Sequence, residues 1–467
     1  MATKSDLIEA QNFSRRRLLT AFISGAPGGR ELEPSKPLRA VIIAIALTVA
    51  VILAGVFYGV MQPGLPNDWG NNRLIIAKDT GARYVSSKNV LHPVINSVSA
   101  RLLIPSTDFK VITTTQARLA GVKLGAPVGI VGAPDTLPAA NRLINDGWTA
   151  CVADDGGNRV RIGGSTASAT KDAVVVSSGG QIYVVAADTR FKVDPAQTDA
   201  VLRAAGIDSL DPVAVDPAWL DLFTEGADLQ SIVITDAGLP LAGTSLNVGD
   251  VLHITGQAVT QRFLVQQDGT LGSLSPLAWQ LYQLGTGRGA DRVLEVASAD
   301  VADVPTAKNP VGGADWPSDG FTTLESDARP CALLTHDARG LARTVLATTA
   351  TTEDAEATLT VASGRGAIVL AGGRGAQGSP LLTIVDATGT SYALPGADED
   401  TVARLGYSLE EVGRVDQSWI RLFKTGPALS TAAAGAEPGG GPAEPASGSS
   451  SGSSGGSDAS GSSDSDG

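Results

Sequence analysis

Two segments of this chain, 200 residues apart, are written almost alike. "VDPAWLDLFTEGADL" at 215–229 and "VDQSWIRLFKTGPAL" at 415–429 share Val, Asp, Trp, Leu, Phe, Gly and Leu at matching positions. Tryptophan occurs only six times in 467 residues, so a match that includes it marks a duplication rather than coincidence. A duplicated chain folds as repeated small units that bury their apolar faces on one another. Trp219, Phe223, Trp419 and Phe423 are therefore expected to anchor the cores of their units, with interface contact the lesser alternative for the two tryptophans.

The same order recurs upstream of each copy. "GGQIYVVAADTRFKVDPAQTDAVLRAAG" predicts a strand through Tyr183 and a helix with Asp194 as N-cap, Pro195 at its first position and Gly206 as its stop. "TGTSYALPGADEDTVARLG" predicts a shorter version, with Tyr392, acids at the helix start and Gly406 at its end. A second, weaker pair shares a Leu-x-Pro-apolar element, Leu91 to Val94 and Leu274 to Leu277. Each proline should begin a helix, followed by Val94, Val98 and Leu102 in one and Leu277, Leu281 and Leu284 in the other. The order is A, B, A′, B′, and Gly- and Val-rich stretches between the units read as strands of a shared β domain.

Ahead of all this, residues 40–60 ("AVIIAIALTVAVILAGVFYGV") carry no charge. As a helix they extend about 31 Å, enough for the hydrocarbon layer. Residues 1–39 hold seven Lys/Arg against four acids in a chain whose net charge is −13, so the short N-terminus should stay in the cytoplasm and the rest lie outside. Outside, thiols are usually oxidised. The only two cysteines, Cys151 and Cys331, lie at comparable places in the two halves, 180 residues apart. A disulfide across a pseudo-twofold axis is expected, with two separate buried thiols as the alternative. Closing so long a loop contributes up to about 5 kcal/mol in the chain-entropy model.

The expected architecture is α+β. A single transmembrane helix precedes an elongated extracytoplasmic region of four small α/β repeat units around a central β domain with pseudo-twofold symmetry. The expected boundaries are a cytoplasmic basic amphipathic segment at 1–39, the membrane helix at 40–60, unit A at 72–112, unit B at 176–230, unit A′ at 263–322 and unit B′ at 383–430. The central domain takes 113–175, 231–262 and 323–382, and a disordered Ser/Gly/Asp tail takes 431–467. Residues 5–22 can form a helix that docks on a partner's cytoplasmic surface with Arg15, Arg16 and Arg17 near lipid phosphates or the partner's carboxylates, the alternative being a charged tail that only sets topology.

Catalytic chemistry finds little to stand on. His92, His253 and His336 pair with no other His or Cys at ligand spacing. "GRGAQG" at 373–378 matches G-x-G-x-x-G, but a strand pattern follows it where a dinucleotide site needs a helix, so it reads as a hairpin loop. "GAPGGRE" at 25–31 lacks the Gly-Lys-Ser/Thr ending of a phosphate loop, and no G-x-S-x-G elbow occurs. No catalytic, cofactor-binding or metal-binding residue is assigned, and no nucleic-acid partner is expected; a site built from scattered carboxylates stays open.

Four motifs in order carry a family resemblance: "RRRLLTAFISGAPGGRELEPSKPLRA" before the apolar span, "TGARYV…LHPVINSVSARLLI", "GIVGAPDTLP" before the first cysteine, and "LGY…SWIRLFKTGPALS" at the close. Over residues 5–430 the chain resembles EccB, the membrane-anchored component of the type VII (ESX) secretion system of actinobacteria. The resemblance implies a structural core subunit that scaffolds the extracytoplasmic part of the secretion complex. It implies homo-oligomerisation and contacts with a polytopic channel-like subunit, an FtsK-type motor ATPase and a membrane-anchored subtilisin-like protease. Some family members carry an ATPase label, which makes ATP hydrolysis the alternative reading; a membrane-anchored cell-wall hydrolase or adhesin is a more distant one. The chain departs from the pattern at "ITDAGLPLAG", where a proline-rich element is expected, and in its Ser/Gly/Asp-rich tail.

Overall fold

A computed structural model describes residues 3–24, 37–61, 65–285, 292–324, 328–349, 358–373 and 379–439. The N-terminal part is two helices. In α1 (Lys4–Ser24) the Asp6 carboxylate reaches back to the Thr3 amide at 2.8 Å, closing the first turn. The second, α2 (Pro37–Met61), contains the stretch Leu38–Phe57, with mean hydropathy 3.0 and none of it buried; it is the one helix among the described residues long and apolar enough to cross a membrane.

From Asn67 onward the chain builds five sheets. Unit A starts with a meander, β1 (Arg73–Ala77), β2 (Arg83–Ser87) and β3 (Val90–Pro93), then α3 (Ser97–Leu103). Strand β4 (Val111–Thr114) returns parallel to β1, giving the order β3-β2-β1-β4, and the short α4 (Gln116–Leu119) follows. Next come three strands of a central sheet, β5 (Thr149–Val152), β6 (Asn158–Ile162) and β7 (Ser168–Ala169).

Unit B repeats the plan with β8 (Ala173–Ser178), β9 (Gln181–Ala186), β10 (Thr189–Lys192), α5 (Thr198–Ala204) and β11 (Val213–Ala214), the last parallel to β8. It adds α6 (Pro217–Leu220) and β12 (Thr224–Glu225), parallel to β10. Unit A′ has β13 (Val251–Ile254), β14 (Arg262–Val265), β15 (Leu271–Leu274), α7 (Pro276–Gln283) and β16 (Val293–Val296) in the connectivity of A. The central sheet then receives β17 (Arg329–His336), β18 (Ala342–Thr349) and β19 (Leu359–Val361).

Unit B′ closes the chain. Its β20 (Ala367–Gly372), β21 (Leu381–Val385), β22 (Thr390–Leu394), α8 (Glu399–Leu405), β23 (Gly413–Asp416), α9 (Gln417–Ile420) and β24 (Lys424–Thr425) follow the connectivity of B. A last helix, α10 (Thr431–Gly435), follows. All four units thus share one motif: an antiparallel meander, a helix, and a strand returning parallel to the first. A helix crossover is what a parallel return requires.

Several expectations need correction. Pro276 does stand at the first position of α7, but Pro93 ends β3 opposite Tyr84. Helix α3 starts later because Asn96 caps it, its Oδ1 accepting from the Ser99 amide at 2.9 Å. Asp194 does not cap α5: it makes a tight turn, accepting from the Ala196 amide at 2.9 Å, and the helix begins at Thr198. Residues 231–262 contribute nothing to the central sheet. Their strand β13 opens unit A′, β8 opens B and β20 opens B′, so these units begin earlier than expected. Short runs of valine and leucine fit any sheet interior, so periodicity could not say which sheet each joined. The expected tail also starts too early, since α10 is ordered and its Ala434 is buried.

The central sheet has the order β19-β6-β5-β17-β18-β7. Exchanging β5 with β17, β6 with β18 and β7 with β19 returns the same order, so the pattern is twofold about the β5–β17 seam. Each half lends its third strand to the other half's hairpin: β7 pairs with β18, and β19 with β6. The symmetry is imperfect, because the first pairing is antiparallel and the second parallel.

The units also pack across halves. Val98 and Leu102 of α3 share a core with Val402 and Leu405 of α8, so A joins B′. Leu277 and Leu281 of α7 share a core with Val201 and Leu202 of α5, so A′ joins B. The opposite faces of B and B′ close over the central sheet in one common core.

Candidate functional site

The seam and the joints between units are where the sequence's marked residues gather. Cys151 on β5 and Cys331 on β17 are register partners, with Cα atoms 3.9 Å apart, and they are bonded to each other. The disulfide therefore fastens the two halves at the centre of the twofold pattern.

The repeated tryptophans lie beside it. Asp216 and Asp416 cap α6 and α9, each accepting from an amide two residues on, at 2.7 and 2.9 Å, and so present Trp219 and Trp419 inward. Trp219 Nε1–H donates to the Ala150 carbonyl on β5 at 2.8 Å, and Trp419 Nε1–H donates to Thr344 Oγ1 on β18 at 2.9 Å. Both rings are fully buried, and Phe223 and Phe423 join them in the central core. The four side chains thus bolt B and B′ to the central sheet, while each unit's own core is filled by other residues, such as Phe191 in B and Tyr392 in B′. Trp148, which the sequence did not single out, meets Trp419 edge-on at 6.1 Å and Phe423 at 5.4 Å.

The sequence holds a further repeat. Val131-Gly132 and Val311-Gly312, followed by Asp135 and Asp315, recur at the cysteine offset of 180. A side chain on Gly132 would touch Pro427, and one on Gly313 would collide with Ala227; these contacts are themselves 200 apart. Asp315 accepts from the Ala227 amide at 2.9 Å, and Asp135 pairs with Arg83. Each loop seats one A-type unit on the turn after the last strand of its B-type partner. At the A–B′ joint Tyr407 O–H donates to the Pro138 carbonyl at 2.6 Å, and burial pushes its phenol well above the usual tyrosine range. The "LGY" and "GAPDTLP" motifs meet there. A cleft of about 540 Å³ opens beside them, lined by Ile76, Arg101, Phe109, Val111 and Leu137 among others.

The histidines are dispersed. His92 Nδ1 lies 3.1 Å from the Ala126 carbonyl, and His336 Nε2 lies 2.9 Å from the Arg414 carbonyl, linking the central sheet to B′. Buried His253 meets the Glu295 carboxylate across β13 and β16 at 3.0 Å, which raises its pKa against the opposing effect of burial. Among the described residues no group of three His, Cys, Asp or Glu could hold a metal ion. The glycine loop at 373–378 joins β20 to β21, two antiparallel strands; residues 374–378 and the glycines at 25–31 lie outside the described residues. Arg15, Arg16 and Arg17 lie exposed on α1.

One apolar helix followed by a duplicated repeat body, its halves fastened by a disulfide, is the plan of a single-anchor membrane protein built from tandem small sheets. Residues 1–442 match the family model described as type VII secretion system ESX-1, transport TM domain B, and the chain belongs to that family, EccB. Similar relatives include the ESX-3 secretion system ATPase EccB3 of Mycolicibacterium smegmatis, 27% identical over 86% of this chain and 85% of that protein. Among solved structures, the EccB3 dimer from the ESX-3 core complex covers 78% of this chain and 99% of its own, at 25% identity and TM-score 0.63. A chain of the intact ESX-5 inner membrane complex shares the fold over 94% of this chain and 95% of its own, at 21% identity and TM-score 0.61.

Proposed function

We propose that this chain is a structural core subunit of a type VII (ESX) secretion membrane complex. The observation that carries this reading is the interlocked body: exchanged strands, cross-half joints and a central disulfide make a firm platform of four similar units, which suits contacts with several neighbours. Family membership and the described assemblies of its relatives support it. In this reading α2 crosses the membrane with the N-terminus cytoplasmic and the repeat body outside, where Cys151 and Cys331 oxidise. The neighbours are a second copy of the chain, a polytopic channel-like subunit, an FtsK-type motor ATPase and a membrane-anchored subtilisin-like protease. Affinity purification of the full-length chain from native membranes tests it. Recovery with other membrane subunits is the expected result, and recovery of the chain alone would overturn it.

Arg15, Arg16 and Arg17 on α1 dock the cytoplasmic segment onto a partner or onto lipid phosphates. Changing all three to serine should cut recovery of the complex without changing topology; undiminished recovery refutes the docking role. The relatives' names keep ATP hydrolysis as a second reading. Sustained, protein-dependent ATP turnover by the purified chain would establish it, and turnover that does not exceed a motor-free blank would remove it.

A further inference from the structure

We infer that the end of unit A nearest the membrane helix in sequence is a docking surface for anionic phospholipid headgroups. Between Asn67 and Val128 the chain has eight Lys/Arg and three acids. The overall −13 is thus the balance of +3 over residues 1–39, +5 over this unit and −21 over residues 129–467. The fold does not demand this charge. Unit A′, with the same connectivity, has four Lys/Arg and six acids between Asp250 and Val311.

The topology places four of the eight cations at one end of the sheet, together with Asp68 and Asp108, while Lys78 and Arg83 lie at the other end. Arg73 begins β1, and Lys110 precedes β4, whose parallel pairing sets both at the same end. Lys88 lies in the β2–β3 turn, where its amide donates to Asn71 Oδ1 at 2.5 Å. The Lys123 carbonyl accepts from the Leu91 amide at 2.9 Å, next to the start of β3. The corresponding β14–β15 turn of A′ carries Asp268 instead. Asp68 holds Arg73 at 3.1 Å and Lys110 at 3.6 Å, whereas Lys88 and Lys123 are exposed and make no ion pair among the described residues. Exposed Leu124 sits beside Lys123.

Five residues separate Met61, the last of α2, from Asn67. The same end of the sheet is therefore the one to which the chain arrives from its apolar helix. For Lys88 and Lys123, which no carboxylate holds among the described residues, lipid phosphates are the counter-charge that a membrane span so close in sequence would supply. Juxtamembrane lysines gain from such a surface within about one Debye length.

The test is lysine acetylation footprinting of the full-length chain in nanodiscs, with Lys192 and Lys308 as internal references. It rests on α2 lying in the bilayer, which incorporation itself verifies. In discs containing phosphatidylglycerol, Lys88 and Lys123 should react about fivefold more slowly than in phosphatidylcholine discs, with the difference lost in 0.5 M salt. Reversing the pair (K88E with K123E) should abolish the lipid-dependent protection of Lys110 while leaving the unfolding transition in place. Equal reactivity in both lipids overturns the proposal. So does protection that appears only when partner subunits are added, which would make this end of unit A a protein interface.

Discussion

The residues that matter most are those whose polar atoms are spent inside the joints. Trp219→Ala removes a fully buried ring together with its bond to Ala150, and should destabilise the body by about 3–5 kcal/mol; denaturant unfolding of the purified chain measures it. Trp219→Phe should recover much of the packing but not the bond, and separates the two contributions. His253 gives a pH signature. Its folded pKa is raised by the Glu295 hydrogen bond, so the stabilisation is fully present below the ordinary histidine value and fades as pH rises through the raised one. Melting temperature should fall across that window, and His253→Asn should flatten the profile. Tryptophan spacing made the duplication legible, whereas His253 gave no signal because its partner Glu295 is 42 residues away and pairs only through the sheet register.

Among the elements, some helix ends are legible in the sequence, such as Pro276 at the start of α7 and Gly406 at the end of α8, whereas Pro93 and Asp194 mislead. The caps that the structure shows at Ser275, Asp398 and Asp416 are local too, each side chain accepting from an amide two or three residues on. Strands β8, β13 and β20 pair locally and are hidden by valine and leucine runs that suit either sheet. In the central sheet membership depends on pairing across more than a hundred residues: β5 finds β17, and β7 finds β18. Nothing in "CVADDGG" or "STASAT" names such a partner. The Asn96 cap tests how a helix is tied to its surroundings. Besides capping α3, its Nδ2 donates to the buried Ile130 carbonyl at 2.8 Å, so Asn96→Ala should cost about 2 kcal/mol, more than a surface cap does. The disulfide belongs to this scale too. Serine at Cys151 and Cys331 should lower stability by up to about 5 kcal/mol, and the wild-type chain should gain two hydrogens in intact mass on reduction.

At the scale of the whole molecule, coupling should follow the packing and not the order of the chain. Leu102 is buried against α8, so Leu102→Ala, at about 3 kcal/mol, should speed amide exchange in residues 399–405 of B′ and leave residues 198–204 of B unchanged. Acceleration in B instead would contradict the cross-half pairing. That pairing also has a temporal consequence. Unit A is among the first parts of the repeat body to be synthesised, yet the helix that completes its core, α8, is among the last. During synthesis the N-terminal portion waits with an apolar flank uncovered, exposed to aggregation and to proteases until some three hundred further residues arrive. The first unit's core thus closes only once the chain's own far end has been delivered.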